Sequence, residues 1–158
     1  MVAQPQLVRE EVKDGFLVEN HTWDHQSFTG VSIPGTKPLT LVRVKSELQR
    51  GAAAVVAAGA PAPAKYRPPF DDVTAADNAV AASLGARSVL STADPASHIV
   101  DSQDWKGLSS QQMVYNITHG YKDEQGNWIL GIQSGSIIGF HEGMSGSAPA
   151  QLGLCRAS

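Results

Sequence analysis

Two histidines set four positions apart, His21 and His25, are the sharpest local pattern in this sequence. That spacing puts both imidazoles on one side of a helical turn, and a loop can converge them equally well. Neutral imidazole suits zinc, cobalt or nickel. The pattern alone leaves two readings open, metal ligands or ordinary hydrogen-bonded histidines, and two donors fall short of the three that catalytic zinc usually takes from protein. Arg67 stands before Pro68, Pro69 and Phe70. The prolines stiffen the backbone around it, which could hold the guanidinium against a carboxylate. A surface arginine at a strand end is the plainer alternative. Asp101, Asp104 and Trp105 make a third cluster, in which the indole is either a platform for a sugar or an anchor in the core. His141 follows an apolar run and could therefore be both held and exposed, as a general acid must be.

Other patterns carry less. Gly143-Met144-Ser145-Gly146-Ser147 matches only the first half of a nucleophile elbow, with Ser147 where the closing glycine belongs. No standard phosphate-binding glycine loop is present. The single cysteine, Cys155, rules out an intrachain disulfide framework and a cysteine-based zinc site. The 158 residues carry a formal net charge of −3 with no basic stripe or tail, so nucleic acid is not expected as a partner. No apolar run approaches the roughly 18 residues of a membrane span. The opening MVAQPQLVREEVKDG has no apolar core and turns acidic at once, unlike a signal peptide. The chain is therefore read as cytoplasmic, or as one from which a leader and more has been removed.

The elements that must position these residues can be read from periodicity and punctuation. Gln4 to Asp14 reads as a helix with Leu7, Val8 and Val12 on one face, stopped by Gly15. Phe16 to Val18 reads as a brief buried strand leading into the His21–His25 segment. A helix is expected from Leu39 to Gly51, with Leu39, Val42 and Leu48 inward, extensible through Ala52 to Ala58 and stopped at Gly59. Lys65 to Arg67 is a short strand. Thr74 is a candidate N-cap for a helix from Ala75 to Leu84, closed by Gly85. Arg87 to Ser91 is the next strand, and Asp94 to Lys106 a polar loop. Ser109 or Ser110 caps a helix ending near Gly120. Lys122 to Asn127 is a turn, and Ser136 to Phe140 a last strand. Strands and helices alternate, which argues for α/β layering with mostly parallel strands, and the polar clusters recur after strands, as at the active face of an α/β barrel.

Taken together, these segments resemble the polysaccharide deacetylase family, whose catalytic region is the NodB homology domain. Asn20-His21-Thr22-Trp23-Asp24-His25 is similar to its paired-histidine metal motif, Arg67-Pro68-Pro69-Phe70 to its arginine motif, Asp101-Ser102-Gln103-Asp104-Trp105 to its aspartate-tryptophan motif, and Ser136 to His141 to its terminal strand and histidine. The resemblance runs from about Gln6 to Gly143 in family order. It implies one catalytic domain over 1–158 that removes acetyl groups from an acetylated glycan, whether chitin-like, peptidoglycan-like or xylan-like. It implies a divalent metal, zinc first and cobalt or nickel as alternatives, held by His21 and His25. His141 would be the general acid, Arg67 would orient the catalytic base, and Asp101 or Asp104 would tune His141. Trp105, Pro69, Phe70 and Phe140 would line the acetyl or sugar pocket. Such enzymes commonly act outside the cytoplasm or at the cell envelope.

The resemblance also carries departures. The family's opening strand ends in paired aspartates, a base and a metal ligand, and would lie upstream of Leu7. An incomplete, distorted (β/α) barrel lacking that strand is therefore expected, with activity impaired in this chain alone and its edges open to a partner chain or self-association. The alternative is a non-catalytic carbohydrate-binding protein or inactive remnant. Asp71 and Asp72 superficially mimic the pair but are not expected to replace it. Gly139 stands where the family usually has a bulky aliphatic wall. The sequons at Asn20 and Asn116 permit glycosylation in a suitable host, though hardly at Asn20 beside the expected ligands.

Overall fold

A computed structural model of the chain describes residues 5–90 and 99–141. The chain divides into two compact units, residues 1–90 and 91–158.

In the first unit, α1 spans Pro5–Lys13 and ends at Gly15, whose φ of +90° suits glycine. No residue of α1 is buried. Phe16 to Val18 form no strand; Phe16 and Leu17 are exposed. Pairing begins one step later, with a single parallel bridge between Asn20 and Tyr66. The second helix, α2, runs Leu41–Ala57, capped by Thr40, whose hydroxyl accepts from the Arg43 amide at 3.2 Å. It passes through Gly51 without a break, carried by the alanines that follow. Its buried face is Val44, Glu47, Leu48, Gly51 and Val55, the three-and-four spacing of one helical stripe. Val42, expected inward, is 80% exposed, because that stripe is set by Val44 two positions on. Strand β1 (Lys65–Tyr66) pairs in parallel with β2 (Arg87–Ser88) across α3 (Ala75–Ser83). The Thr74 cap is present as a full capping box with Asp77. Phe28, Val44, Leu48, Tyr66 and Ala81 form the core, with Leu39, Val80, Leu84 and Ala86 packed against it.

The second unit has its own core of Val100, Ile117, Tyr121 and Ile129, covered by Ile138 and Phe140. Strand β3 (Ile99–Asp101) lies within the stretch read from sequence as loop, and pairs in parallel with β6 (Ile137–Gly139) in the register Val100 to Ile138 and Asp101 to Gly139. Helix α4 spans Ser110–His119, with Ser109 as its cap and Gly120 ending it. The stretch read as a plain turn is the tip of an antiparallel hairpin, β4 (Tyr121–Lys122) with β5 (Trp128–Ile129). Two of the three strand pairs among the described residues, and the Asn20–Tyr66 bridge, are thus parallel, and the chain is a mixed helix–sheet fold. The Gly143–Ser147 segment and Cys155 lie outside the described residues. No helix among the described residues is long and apolar enough to cross a membrane.

Candidate functional site

The paired-histidine loop is held mostly through its backbone. Asn20 exchanges main-chain bonds with β1 and its neighbour: its N–H donates to the Lys65 carbonyl at 3.3 Å, and the Arg67 N–H donates to the Asn20 carbonyl at 2.9 Å. Its buried side chain donates to the Leu48 carbonyl on α2 at 2.8 Å and accepts from the Thr22 amide at 2.9 Å. The amides of Trp23 and Asp24 then donate to one oxygen of Glu47, Oε2, at 3.2 and 3.0 Å. Arg43 closes the arrangement, its Nη2 lying 2.7 Å from Asp24 Oδ2 and 2.9 Å from Glu47 Oε1; the second contact is an ion pair without the alignment of a hydrogen bond. Gly51 makes room for the loop, since a Cβ there would come within 2.2 Å of Asn20 Oδ1 and 2.8 Å of the Thr22 carbonyl carbon.

This bracing converges the imidazoles. The rings of His21 and His25 are edge to face with centroids 4.9 Å apart, and both residues are exposed. His21 Nδ1 is 2.9 Å from the Arg67 carbonyl. A carbonyl only accepts, so this bond assigns the proton to Nδ1 and the lone pair of the neutral ring to Nε2. The bond also joins the histidine segment to the arginine segment. There Phe70 and Asp71 hold φ of +60° and +56°, left-handed values costly for residues with a Cβ. Phe70 is half exposed and meets the His25 ring edge to face at 4.9 Å. Pro69 is buried. Arg67 Nε donates to the Val89 carbonyl at 3.4 Å.

Asp72 is spent on structure. Its Oδ2 accepts from the Ser27 hydroxyl and, at 3.2 Å, from the Ser32 amide; its Oδ1 takes the Ser32 hydroxyl at 2.9 Å. Burial pushes its acidity down, but the hydrogen bonds from Ser27, Ser32 and Thr29 outweigh that and hold the carboxyl below the usual range.

In the second unit the aspartate-tryptophan segment meets His141. Asp104 has a fully buried side chain and grips His141 twice: Oδ2 accepts from the His141 amide at 2.7 Å, and Oδ1 is 2.7 Å from its Nδ1. The ring itself is 54% exposed. The choice between two acids that the sequence leaves open is resolved in contact terms: Asp104 meets His141, while Asp101 accepts from the Gln103 amide at 2.9 Å and from Trp105 Nε1 at 3.1 Å. Trp105 is 52% exposed, with Lys106 Nζ 4.9 Å from its ring centroid. Phe140 packs against the second core. Of the four residues expected to line a pocket, Phe70 and Trp105 therefore offer open faces. Gln103, at φ +58°, is steadied by Asn116 on α4, whose Nδ2 donates to Gln103 Oε1 at 3.2 Å. Asn116 and Asn20 are both buried, and the side-chain amide of each is engaged.

Among the described residues, the non-glycine positions with positive φ are Thr22, His25, Phe70, Asp71 and Gln103; four lie in a motif segment and Asp71 directly follows one. Strain gathered in this way marks places where surroundings over-determine the backbone. The bracing residues Glu47, Arg43, Asn116 and Asp72 were not singled out in the sequence for these roles. Glu47 carried a signal: a carboxylate on the apolar stripe between Val44 and Leu48, with an arginine one turn before it. Asn116 sits likewise beside Ile117.

Two convergent imidazoles, one with its tautomer fixed by a backbone acceptor, fit two nitrogen donors of a zinc-type site and the outer-shell pattern such ligands show. No group of three or more His, Cys, Asp or Glu able to hold an ion occurs among the described residues.

Comparison with known proteins places these segments in context. The family model for polysaccharide deacetylase matches residues 1–89. The bifunctional xylanase/xylan deacetylase of Cellvibrio japonicus is 32% identical over 87% of this chain and 18% of that protein. A family 4 carbohydrate esterase from Streptomyces lividans, solved in complex with acetate, is 28% identical with a TM-score of 0.70, covering 93% of this chain and 62% of that one. A family 4 pseudoenzyme from Bacillus anthracis shares the fold, with a TM-score of 0.70 at 15% identity over 98% of this chain and 45% of that one. The chain thus spans less than two thirds of the length of each of these relatives.

Proposed function

Because this chain belongs to the polysaccharide deacetylase family, we propose that it carries the hydrolytic machinery for removing acetyl groups from an acetylated glycan of chitin-like, peptidoglycan-like or xylan-like type. The observation that carries this reading is the Asp104–His141 pair. A buried carboxylate fixes both the backbone and Nδ1 of a half-exposed histidine, so Nε2 is the nitrogen turned to other partners. That is the arrangement a general acid needs to deliver a proton to a leaving amine or alkoxide. His21 and His25 are the proposed ligands of a divalent metal, zinc first, with cobalt or nickel able to substitute. When bound, such an ion polarises a carbonyl and activates water. Arg67 orients the carboxylate that acts as base. Asp104 holds His141, and Asp101 holds Trp105. Phe70 in the first unit and Trp105 in the second, whose faces are open, are the proposed sugar contacts, with Pro69 and Phe140 as the packing behind their respective segments.

The parallel pairings of β1 with β2 and β3 with β6 support an incomplete (β/α) barrel as the frame. The tethering of Asp72 by Ser27 and Ser32 supports a structural role for that carboxylate rather than that of the base. Action outside the cytoplasm or at the envelope suits the substrate class. The test is acetate release from a panel of acetylated glycans with added zinc or cobalt, together with metal uptake. The chain should take up metal, and His21→Ala with His25→Ala should abolish uptake. Equal uptake by both proteins would overturn the ligand assignment. Activity confined to peptides or phosphate esters would overturn the substrate class, and glycan binding without acetate release under every condition would favour a non-catalytic binding protein.

A further inference from the structure

The most unusual polar group outside the motifs is Glu47. Its side chain is wholly buried on the apolar stripe of α2, between the core residues Val44 and Leu48. Burying a carboxylate is expensive unless hydrogen bonds and a counter-charge replace its hydration. Here the replacement is specific. Oε2 receives two consecutive backbone amides, Trp23 and Asp24, which lie between the two histidines, and Arg43 lies at 2.9 Å from Oε1. Consecutive amides directed at one oxygen fix the peptide planes of the turn. The residues on either side of that turn, Thr22 and His25, are the two that adopt left-handed φ, at +69° and +59°. A free loop would relax such values at non-glycine residues. The carboxylate therefore supplies the interaction that keeps the turn coiled and the imidazoles converged.

We infer that Glu47 is a positioning residue for the His21–His25 pair, setting the separation and aim of the two rings through the Trp23 and Asp24 amides. This deepens the metal reading proposed above and rests on it. The essential feature is an acceptor oxygen at the amides rather than the negative charge. Two double variants separate these. Arg43→Met with Glu47→Leu removes charge and acceptor together, replacing a buried ion pair by apolar groups, a change that folds commonly tolerate. Arg43→Met with Glu47→Gln removes the same charges but leaves a carbonyl oxygen for the two amides.

The experiment titrates cobalt(II) into the purified chain and both variants, and records the His21 ring tautomer and the Trp23 and Asp24 amide exchange by nuclear magnetic resonance without metal. The leucine variant should bind cobalt about 10- to 100-fold more weakly, the usual consequence of losing outer-shell support, with faster exchange at both amides and a mixed His21 tautomer. The glutamine variant should stay within about 3-fold of the parent, well short of that loss. Equal behaviour of the two variants in affinity, exchange and tautomer would overturn the inference. If the parent chain itself takes up no cobalt, the metal reading fails, and exchange and tautomer alone decide the positioning role. If the leucine variant does not fold, Glu47→Asp takes its place, withdrawing the oxygen by one methylene while keeping the charge. Parent-like exchange at Trp23 and Asp24 in that variant would overturn the inference equally.

Discussion

Each of the two units anchors one histidine through Nδ1, and the anchors differ in kind. In residues 1–90, His21 is tied to a backbone carbonyl, that of Arg67, and the loop around it is braced by α2 through Glu47, the Leu48 carbonyl and Gly51. In residues 91–158, His141 is tied to a buried carboxylate, Asp104, which also holds its amide. A carbonyl fixes a tautomer without adding charge, which suits a ring that stays neutral and donates a lone pair to a cation. A carboxylate fixes the tautomer and places a negative charge beside the ring, which suits the proton-donating role proposed for His141. The bracing differs in the same sense. Glu47 orders a turn by gripping main-chain amides, whereas Asn116 steadies Gln103 by a side-chain contact. On the proposed reading, the first unit would hold the geometry of two ligands and the second a proton donor.

The change with the largest expected effect is Asp104→Asn. An asparagine offers one acceptor and one donor where both His141 groups require acceptors. If the oxygen stays on the amide, the ring must turn its acceptor nitrogen inward. Acetate release in the presence of zinc should fall by about 10² to 10⁴, the usual worth of a general acid, while cobalt uptake through His21 and His25 stays at the parent level. Nitrogen chemical shifts of His141 should report the exchanged tautomer. Loss of cobalt uptake in this variant would erase the division of labour between the units.

A smaller effect, on stability, is expected in the first unit from Gly51→Ala. The added Cβ meets Asn20 Oδ1 at 2.2 Å and Thr22 main chain at 2.8 Å, so α2 and the histidine loop must part. The cost should be about 1–3 kcal/mol, as for other overpacked sites, read as a lower thermal midpoint. The same change should disturb cobalt uptake, because the atoms it displaces belong to the histidine segment. An unchanged midpoint with unchanged uptake would mean that the loop is not pressed against α2.

Gly51 also shows where sequence reading reaches its limit. The helix through it is legible from its alanine content and from the cap at Thr40, as are the helices capped by Thr74 and Ser109. The four motifs are legible because each is a run of distinctive residues. What cannot be read is anything fixed by a distant partner. Ile99–Asp101 is too short to show a period and becomes a strand only by pairing with Ile137–Gly139. Phe16 to Val18 has strand-like residues but stays unpaired within the described chain, with Leu17 77% exposed. Asp101 and Asp104 are equally placed in sequence to reach His141, and only the register of β3 against β6 separates them. The glycine at position 51 looks like a weak point in a helix until the loop lying against it is known.

The smallest expected effect concerns acid, and it compares one carboxyl in each unit that folding holds below the ordinary range. Asp72 in the first unit carries hydrogen bonds from Ser27, Ser32 and Thr29, which outweigh the opposing effect of burial. Asp123 in the second, at the hairpin tip, is lowered first by the Asn127 side chain, then by the Asn127, Gln125 and Gly126 amides. For a carboxyl lowered by folding, the unfolded chain binds protons more readily, so its stabilising contribution is present above the ordinary value of 3.8 and disappears as pH falls through the folded one. Both contributions should therefore be intact at neutral pH and lost only in the acid window below 3.8. Their consequences differ. Protonating Asp123 loosens a hairpin tip, whereas protonating Asp72 releases the segment 27–32 that follows His25. The Ser32 and Asn127 amide shifts, followed in a pH titration, should each turn at a midpoint below the ordinary carboxyl value, and Asp72→Asn should abolish the first while leaving the second. That variant carries a further consequence for function. If Asp72 were the catalytic base, its amide would eliminate acetate release outright. Since its oxygens serve Ser27 and Ser32, release should instead persist near the parent level at neutral pH. Complete loss without any change in cobalt uptake or folding would return Asp72 to the reaction itself.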